Sequence, residues 1–527
     1  AGMSAPPARA PREALIDLAL RWARHHAACT AQSLGERYGL ATTAAKTALA
    51  ELADAGTLVA GHILPKTDPL PSTDAPPDAS TEPVFAALAG DPSAVQYCHQ
   101  RVLTLIKRRT LASLRNQVEA VDQQQFARFL DSWQQLAEPA APRPGHDATV
   151  DDLLVVVDLL TGCPLPASML ESVVLPARLP GYRPALLDEA LATGELSWSG
   201  AGAIGAHDGW ITLWPGEAQP PPPVDDPALG TLAKSLLERL AAGGAWHVGD
   251  LTTPEAGADA VQDALWELAW AGLVSTDTFT TVRSLSTRGA LRHPARPRPR
   301  HRALRPRARV TTAAGARWAA VQHRGEEPNR LLDALDVELA RYGVLTRGSV
   351  LTEPRTPSFA EAYRVLSRME ESGVVRRGYF VTGLGGAQFA MPGAVDRLRR
   401  AEPTPTRLLA ACDPANPYGA ALEWPASNGH RPARKAGAMV VLSDGAPVCY
   451  LERGAHTLLT FATTTSASLA EALGLVGEAV DRGDLPTISI DRVDGAPALT
   501  AGPHADAMAD AGFAMVPQGY KRRRRVN

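Results

Sequence analysis

A short helix, a tight turn, a longer amphipathic helix closed by glycine and a β-rich stretch follow one another several times along this chain. That order leaves few folds open. It is plainest over residues 12–63. Leu15, Leu18, Leu20 and Trp22 lie in a helical stretch, and residues 31–38 give a short helix. Gly39 sits where a left-handed cap is needed. Thr42 or Thr43 is placed to N-cap the next helix, which carries Ala45, Leu49 and Leu52 on one face. Gly56 ends it, and residues 57–64 read as a strand. This is the pattern of a winged helix, a form of helix-turn-helix.

The pattern recurs at irregular spacing, so it predicts a tandem array and not a strict solenoid. Over 227–285, helices at 229–240 and 256–270 precede Gly272 and a Thr/Val-rich stretch, 273–285, that reads as a hairpin. Over 328–391, helices at 331–342 and 359–372 precede Gly373 and a wing turning at Gly383, Gly385 and Gly386. Residues 183–214 read as the last helix and wing of another unit, and 97–160 hold three helices, 97–118, 123–136 and 150–160. From 403 onward short strands alternate with turns, Asp444-Gly445 being a strong hairpin signal, with helices at 466–482 and 505–512. The predicted fold class is α+β: a tandem array of four to five winged-helix modules followed by a small β-barrel module. The expected divisions are 1–64, 84–160, 161–214 and 224–286 for winged helices, 287–327 for a basic linker, 328–400 for a further winged helix and 401–527 for the β module. Proline-rich connectors lie at 65–83 and 215–227.

At about 100–200 residues per domain, 527 residues hold about three to five units. A 45% hydrophobic, 21% charged composition builds packed cores and excludes a wholly disordered chain. There is no run of 18 apolar residues, so no membrane partner is expected, and residues 1–11 lack a signal-peptide pattern. Cys29, Cys98, Cys163, Cys412 and Cys449 form no CxxC pair, and their odd number argues against a disulfide framework. A cytoplasmic, reduced protein without structural zinc is expected.

No ATPase loop, DExH box, GxSxG elbow or HExxH motif occurs, and the thirteen histidines are scattered. No cofactor, metal site or catalytic group is therefore predicted for this stretch. The net charge of −3 predicts no global field for nucleic acid, so local clusters must supply it. The strongest is 288–309, with nine arginines, no acid, and prolines that forbid a regular helix. Arg296, Arg298, Arg300 and Arg302 stand at its centre, and such a cluster neutralises phosphates with salt-dependent affinity. A second basic run is 521–525. Lys107, Arg108 and Arg109 lie on the helix near 100–116, and Arg376 and Arg377 stand beside Tyr379 and Phe380 on a wing. Strand alternation assigns Phe380 to the hairpin core.

Several longer stretches carry a family likeness. One set is Leu165-Pro166, Val174-Leu175-Pro176-Ala177-Arg178, Tyr182-Arg183-Pro184-Ala185-Leu186-Leu187-Asp188 and Gly194-Glu195-Leu196-Ser197-Trp198. Others are Arg376-Arg377-Gly378-Tyr379-Phe380-Val381 with Gly383-Leu384-Gly385-Gly386-Ala387-Gln388-Phe389-Ala390, and Ala411-Cys412-Asp413-Pro414-Ala415-Asn416-Pro417-Tyr418-Gly419 with Trp424-Pro425. The last is Tyr450-Leu451-Glu452-Arg453-Gly454 with Thr457-Leu458-Leu459-Thr460-Phe461. In this order, over 165–461, the chain resembles the C-terminal region of bacterial large helicase-related (Lhr) proteins. Gly315-Ala316-Arg317-Trp318 resembles the family's Gly-Arg-Trp, which adds Arg317 to the nucleic-acid candidates.

The resemblance implies a two-part enzyme. Its absent N-terminal core would be a superfamily 2 helicase using ATP and Mg, translocating 3′ to 5′ on DNA and unwinding DNA and RNA:DNA duplexes. The portion in hand would be a winged-helix array with a β-barrel that drives homo-oligomerisation, as a tetramer, in DNA repair. The implied partners are DNA or RNA:DNA hybrid, further copies of the chain and the helicase core. The array is also similar to AlkZ-type DNA glycosylases, which use a Gln-x-Gln motif. Gln134 matches the first glutamine of that motif, but Leu136 stands at the second. A base-excision module with Gln134 in its site is therefore the alternative reading. Gln123-Gln124-Gln125 read as the surface of a helix start, and Asp491, Asp494 and Asp510 as structural.

Overall fold

The computed structural model describes residues 11–26, 28–63, 94–116, 119–136, 148–216, 218–223, 227–290, 315–323, 330–385, 387–500, 502 and 504–524. Contacts divide the chain into two units, Ala1–Val118 and Glu119–Asn527.

In the first unit, α1 (Pro11–Ala23), α2 (Ala31–Tyr38) and α3 (Thr42–Asp54) precede β1 (Leu58–Gly61), β2 (Gln96–His99) and α4 (Gln100–Asn116). Thr30 and Ser33 form a capping box on α2, and Gly39 ends it at φ 65° as expected. The expected threonine N-cap of α3 is not formed. Ala41 holds that place, because Gly39, Leu40 and Ala41 complete the turn before Thr42. Ala19, Leu34, Ala45, Leu49, Leu52 and Leu58 make the core. The wing is antiparallel, with Leu58 opposite His99 and Gly61 opposite Gln96. This corrects the expected module over 84–160. Gln96, Tyr97 and Cys98 are all buried as a strand of the first wing, and the helix begins only at Gln100.

The second unit opens with α5 (Gln123–Trp133) and α6 (Val150–Leu160), followed by β3 (Leu165–Pro166) and α7 (Ala167–Met169). A π-helical turn (Leu170–Val174) runs into α8 (Leu175–Arg178). Then come α9 (Pro184–Thr193) and a wing of β4 (Leu196–Ala203) and β5 (Gly209–Pro215), in the order β3-β5-β4. Trp198, Ile211 and Leu213 bury one face of this wing.

The next winged helix holds α10 (Thr231–Ala241), α11 (Val248–Leu251), α12 (Ala258–Trp270), β6 (Val274–Thr276), α13 (Thr280–Ala290) and β7 (Trp318–Ala320). Two expectations fail here. The 273–285 hairpin is a strand and then a helix, because Phe279, Val282 and Leu285 are buried at helical spacing and not alternately. The start of α13 is fastened by Asp188, whose Oδ1 accepts from the Thr278 hydroxyl at 2.7 Å and the Phe279 N–H at 2.8 Å. The basic stretch, in turn, is not a linker between modules. β6 pairs antiparallel with β7, Thr276 opposite Trp318, so residues 277–317 are inserted within one wing.

The fourth winged helix comprises α14 (Arg330–Tyr342), β8 (Val344–Leu345), α15 (Arg347–Thr352), α16 (Phe359–Glu371), β9 (Arg376–Gly378), β10 (Gln388–Ala390) and α17 (Ala394–Arg399). Gly343, at φ 65°, faces Trp133 so closely that a Cβ would lie 2.6 Å from its ring.

The terminal module contains β11 (Arg407–Ala410), β12 (Met439–Ser443), β13 (Ala446–Leu451), β14 (Thr457–Thr460), α18 (Ser466–Arg482), β15 (Ile488–Ile490), β16 (Arg492–Val493), β17 (Ala496–Pro497), α19 (His504–Asp510), β18 (Ala514–Val516) and β19 (Gly519–Arg522). Asp444 and Gly445 make the expected hairpin turn at φ 51° and 77°. The small barrel is not found among the described residues. Six strands run β11-β12-β13-β14-β16-β17 with no pairing between β11 and β17, and three more form a separate sheet, β15-β19-β18. α18 packs on β11, β12 and β13, and its Leu473 and Val476 are fully buried. A sheet face covered by a helix has no need to close on itself.

Candidate nucleic-acid interface

The candidate residues fall on three wings or helices. On β9, Arg376 is exposed, and the Arg377 guanidinium lies 4.8 Å from the Tyr363 ring centroid. Phe380 is 2% exposed, as alternation required, whereas Tyr379 is 42% exposed and its hydroxyl accepts from the Gly383 N–H at 2.8 Å. Arg317 lies at the base of the β6–β7 wing, where its Nε donates to Asp277 Oδ2 at 2.7 Å. It is therefore charge-compensated within the chain. Lys107 and Arg109 are exposed on α4 in the first unit. Arg296, Arg298, Arg300 and Arg302, and the Arg108 side chain, lie outside the described residues. The basic tail is partly structural, because Arg522 is buried on Asp481.

Gln134 is not a site residue. It is fully buried, its amide donates to the Arg341 carbonyl, and its Oε1 accepts from Arg178 Nη2 at 2.9 Å. A side chain with both ends engaged in the interior cannot meet an extruded base. It belongs to a polar chain the sequence reading missed. Arg178 makes a two-pronged ion pair with Asp413, at 2.7 and 2.8 Å, with both side chains wholly buried. Arg341 pairs with Glu353 at 2.7 Å and donates to the Thr161 carbonyl at 2.5 Å. One network so joins the winged helix that ends in the β4–β5 wing, the fourth winged helix and the terminal module. Its signal was present in Asp413-Pro414-Ala415-Asn416, which carried a family likeness but no pattern that points to a distant arginine.

The glutamine triplet fastens the start of α5: Gln124 donates to the Asp444 carbonyl at 3.0 Å and Gln125 to that of Ala401 at 2.7 Å. Asp494 accepts from Thr460 N–H and hydroxyl, each at 2.7 Å, and Asp491 pairs with His456 at 2.7 Å. Neither lines the cleft between Glu171 and Leu475 described below. Among the described residues no cluster of His, Cys, Asp or Glu could hold a metal ion, and no helix is long and apolar enough to cross a membrane.

One recess stands out, a cleft of about 810 Å³ walled by Glu171, Tyr182, Phe279, Arg283, Leu408 and Leu475. Arg283 is gripped by two carboxylates, Glu171 Oε2 at 2.6 Å and Asp188 Oδ2 at 2.7 Å, and Tyr182 donates to Glu171 at 2.5 Å. Burial alone would raise the Asp188 pKa, but the hydrogen bonds from Arg283 and Thr278 outweigh it and hold the group below its usual range.

Two family models for the winged-helix domains of large helicase-related protein match, over residues 121–216 and 324–408. A protein of Mycolicibacterium smegmatis named Lhr helicase/probable uracil glycosylase is 38% identical over 99% of this chain, and the chain covers 34% of that protein. The chain belongs to the large helicase-related family. It carries the C-terminal portion, as its motifs implied. An Escherichia coli relative named Lhr helicase/uracil glycosylase is 30% identical over 96% of the chain. The chain spans about a third of the length of these relatives. The 121–216 match also joins α5 and α6 to the β4–β5 wing, where the sequence reading had divided them at 160.

Proposed function

We propose that this chain is the nucleic-acid-binding and assembly portion of an Lhr-type helicase acting in DNA repair. Its partners would be DNA or RNA:DNA hybrid, further copies of itself in a tetramer, and an ATP- and Mg-dependent core that moves 3′ to 5′. One observation carries the binding: nine arginines without an acid are inserted into a wing, between β6 and β7. Clustered guanidinium groups with no acid among them neutralise phosphates, whether or not the helix before that wing enters a groove. The test is a fluorescent single-strand and duplex titration at two salt concentrations, on the chain and on a variant with Arg296, Arg298, Arg300 and Arg302 changed to glutamine. Loss of about four phosphate contacts lowers the slope of log affinity against log salt by about 3–4. An unchanged slope would refute the assignment. Light scattering on the same sample reads the assembly.

The names of both relatives favour a second reading, uracil excision. The cleft is of a size to take an extruded base. If the chain excises uracil there, Ala177→Trp, which fills the cleft wall, abolishes release of uracil from a labelled strand. Strand binding should stay within about twofold. Retained excision would move the site elsewhere.

A further inference from the structure

Four helices precede a wing among the described residues: α3, α9, α12 and α16. We infer that α3 is the one that enters the groove of a nucleic-acid duplex, an assignment that rests on the binding function proposed above. The exposed faces of the four helices differ in charge. α12 presents Asp259, Asp263 and Glu267, three carboxylates one turn apart, which phosphate repels. The N-terminal end of α9, the part that reaches base edges in such docking, is occupied. There Arg283 of α13 donates to the Pro184 carbonyl at 3.0 Å and to Asp188, and Glu189 is exposed beside them. α16 alternates sign, with Glu361 and Glu371 flanking Arg364 and Arg368.

The first three turns of α3 show the opposite character. Their exposed positions are Thr42, Thr43, Lys46 and Thr47. The acid that follows one turn later, Glu51, is half-buried and paired with Arg12 at 2.6 Å. Spaced i, i+1, i+4, i+5, the four exposed positions form one stripe of hydroxyls around a single cation. Hydroxyls both donate and accept, which suits base edges, and lysine suits phosphate or guanine. Among the described residues no side chain caps the first turn, where Ala41 stands at the N-cap. The surroundings agree in sign. Residues 1–118 hold twelve Lys and Arg against ten Asp and Glu, in a chain whose net charge is −3. Five of the twelve lie on α4, which has no acid at all.

The test uses the whole chain and a fluorescent duplex at about 100 mM salt. Thr43→Glu with Lys46→Glu should weaken duplex binding at least tenfold. Arg364→Glu with Arg368→Glu on α16 should weaken it no more than about twofold. Thr43→Arg alone should tighten it about threefold, a gain that a misfolded protein cannot produce. All four substituted sites are exposed, so circular dichroism should match the parent. A chain that binds duplex but ignores the α3 substitutions overturns this inference and leaves the proposed function standing. Loss of oligomeric mass without loss of DNA binding would make this face a self-interface and also overturn it. A parent chain with no affinity for duplex would overturn both.

Discussion

Asp413→Ala should destabilise the second unit by about 3–5 kcal/mol, measured as a fall in urea midpoint at an unchanged slope. Asp413 and Arg178 are wholly buried, and the two carboxylate oxygens accept from both terminal nitrogens of the guanidinium. Removing the carboxylate leaves a cation in the interior with Gln134 Oε1 and the Val174 carbonyl as its partners. Neither carries charge. The second variant decides the mechanism. Arg178→Met combined with Asp413→Leu removes both charges and keeps apolar volume, so it should cost much less than Asp413→Ala alone. A double variant as damaged as the single one would mean that packing, and not the orphaned charge, sets the loss. The effect should extend beyond one module, because the same arginine reaches Gln134, and Gln134 reaches Arg341 of the fourth winged helix.

Glu338 should make the protein less stable as pH rises. Its side chain is 2% exposed, and burial lifts its pKa from 4.5 to about 7. The Thr356 hydroxyl donates to it at 2.5 Å, Glu353 opposes its ionisation, and Arg341 and Arg355 favour it. A carboxyl raised in the folded state binds its proton more tightly there than when unfolded. Its stabilising contribution is complete below about pH 4.5 and is lost as pH rises through about 7. The shift corresponds to about 3 kcal/mol at most. Glu338→Gln copies the protonated shape and should remove this dependence. Expected is little change at pH 5 and a gain of up to about 3 kcal/mol at pH 8, read from urea midpoints across that range. A variant that follows the parent at every pH would place the titration elsewhere.

Legibility differed sharply between the wings and the junctions. Gly39, Gly194, Gly373 and Asp444-Gly445 were readable because each meets a local demand for positive φ that few residues satisfy. Phe380 was readable because a strand has a period of two. The 273–285 stretch was misread because Thr and Val favour strands locally, whereas Asp188, some ninety residues earlier, fastens that segment as the start of a helix. The wing at 96–99 was hidden in the same way: its partner strand lies across a long proline-rich insertion.

The sequence by itself determined that this is a winged-helix array of the Lhr type, with an arginine-only stretch and no ATPase motif. Those properties are written in local periodicity, glycine placement and residue order, which need no distant partner to be seen. The tertiary structure alone decided that the arginines are inserted in a wing, that Gln134 is interior, that β11 and β17 do not pair among the described residues, and that α3 differs from the other helices before wings. Each of these depends on which strand or charge arrives from far along the chain, and burial and pairing of that kind leave no periodic trace in the segment that receives it.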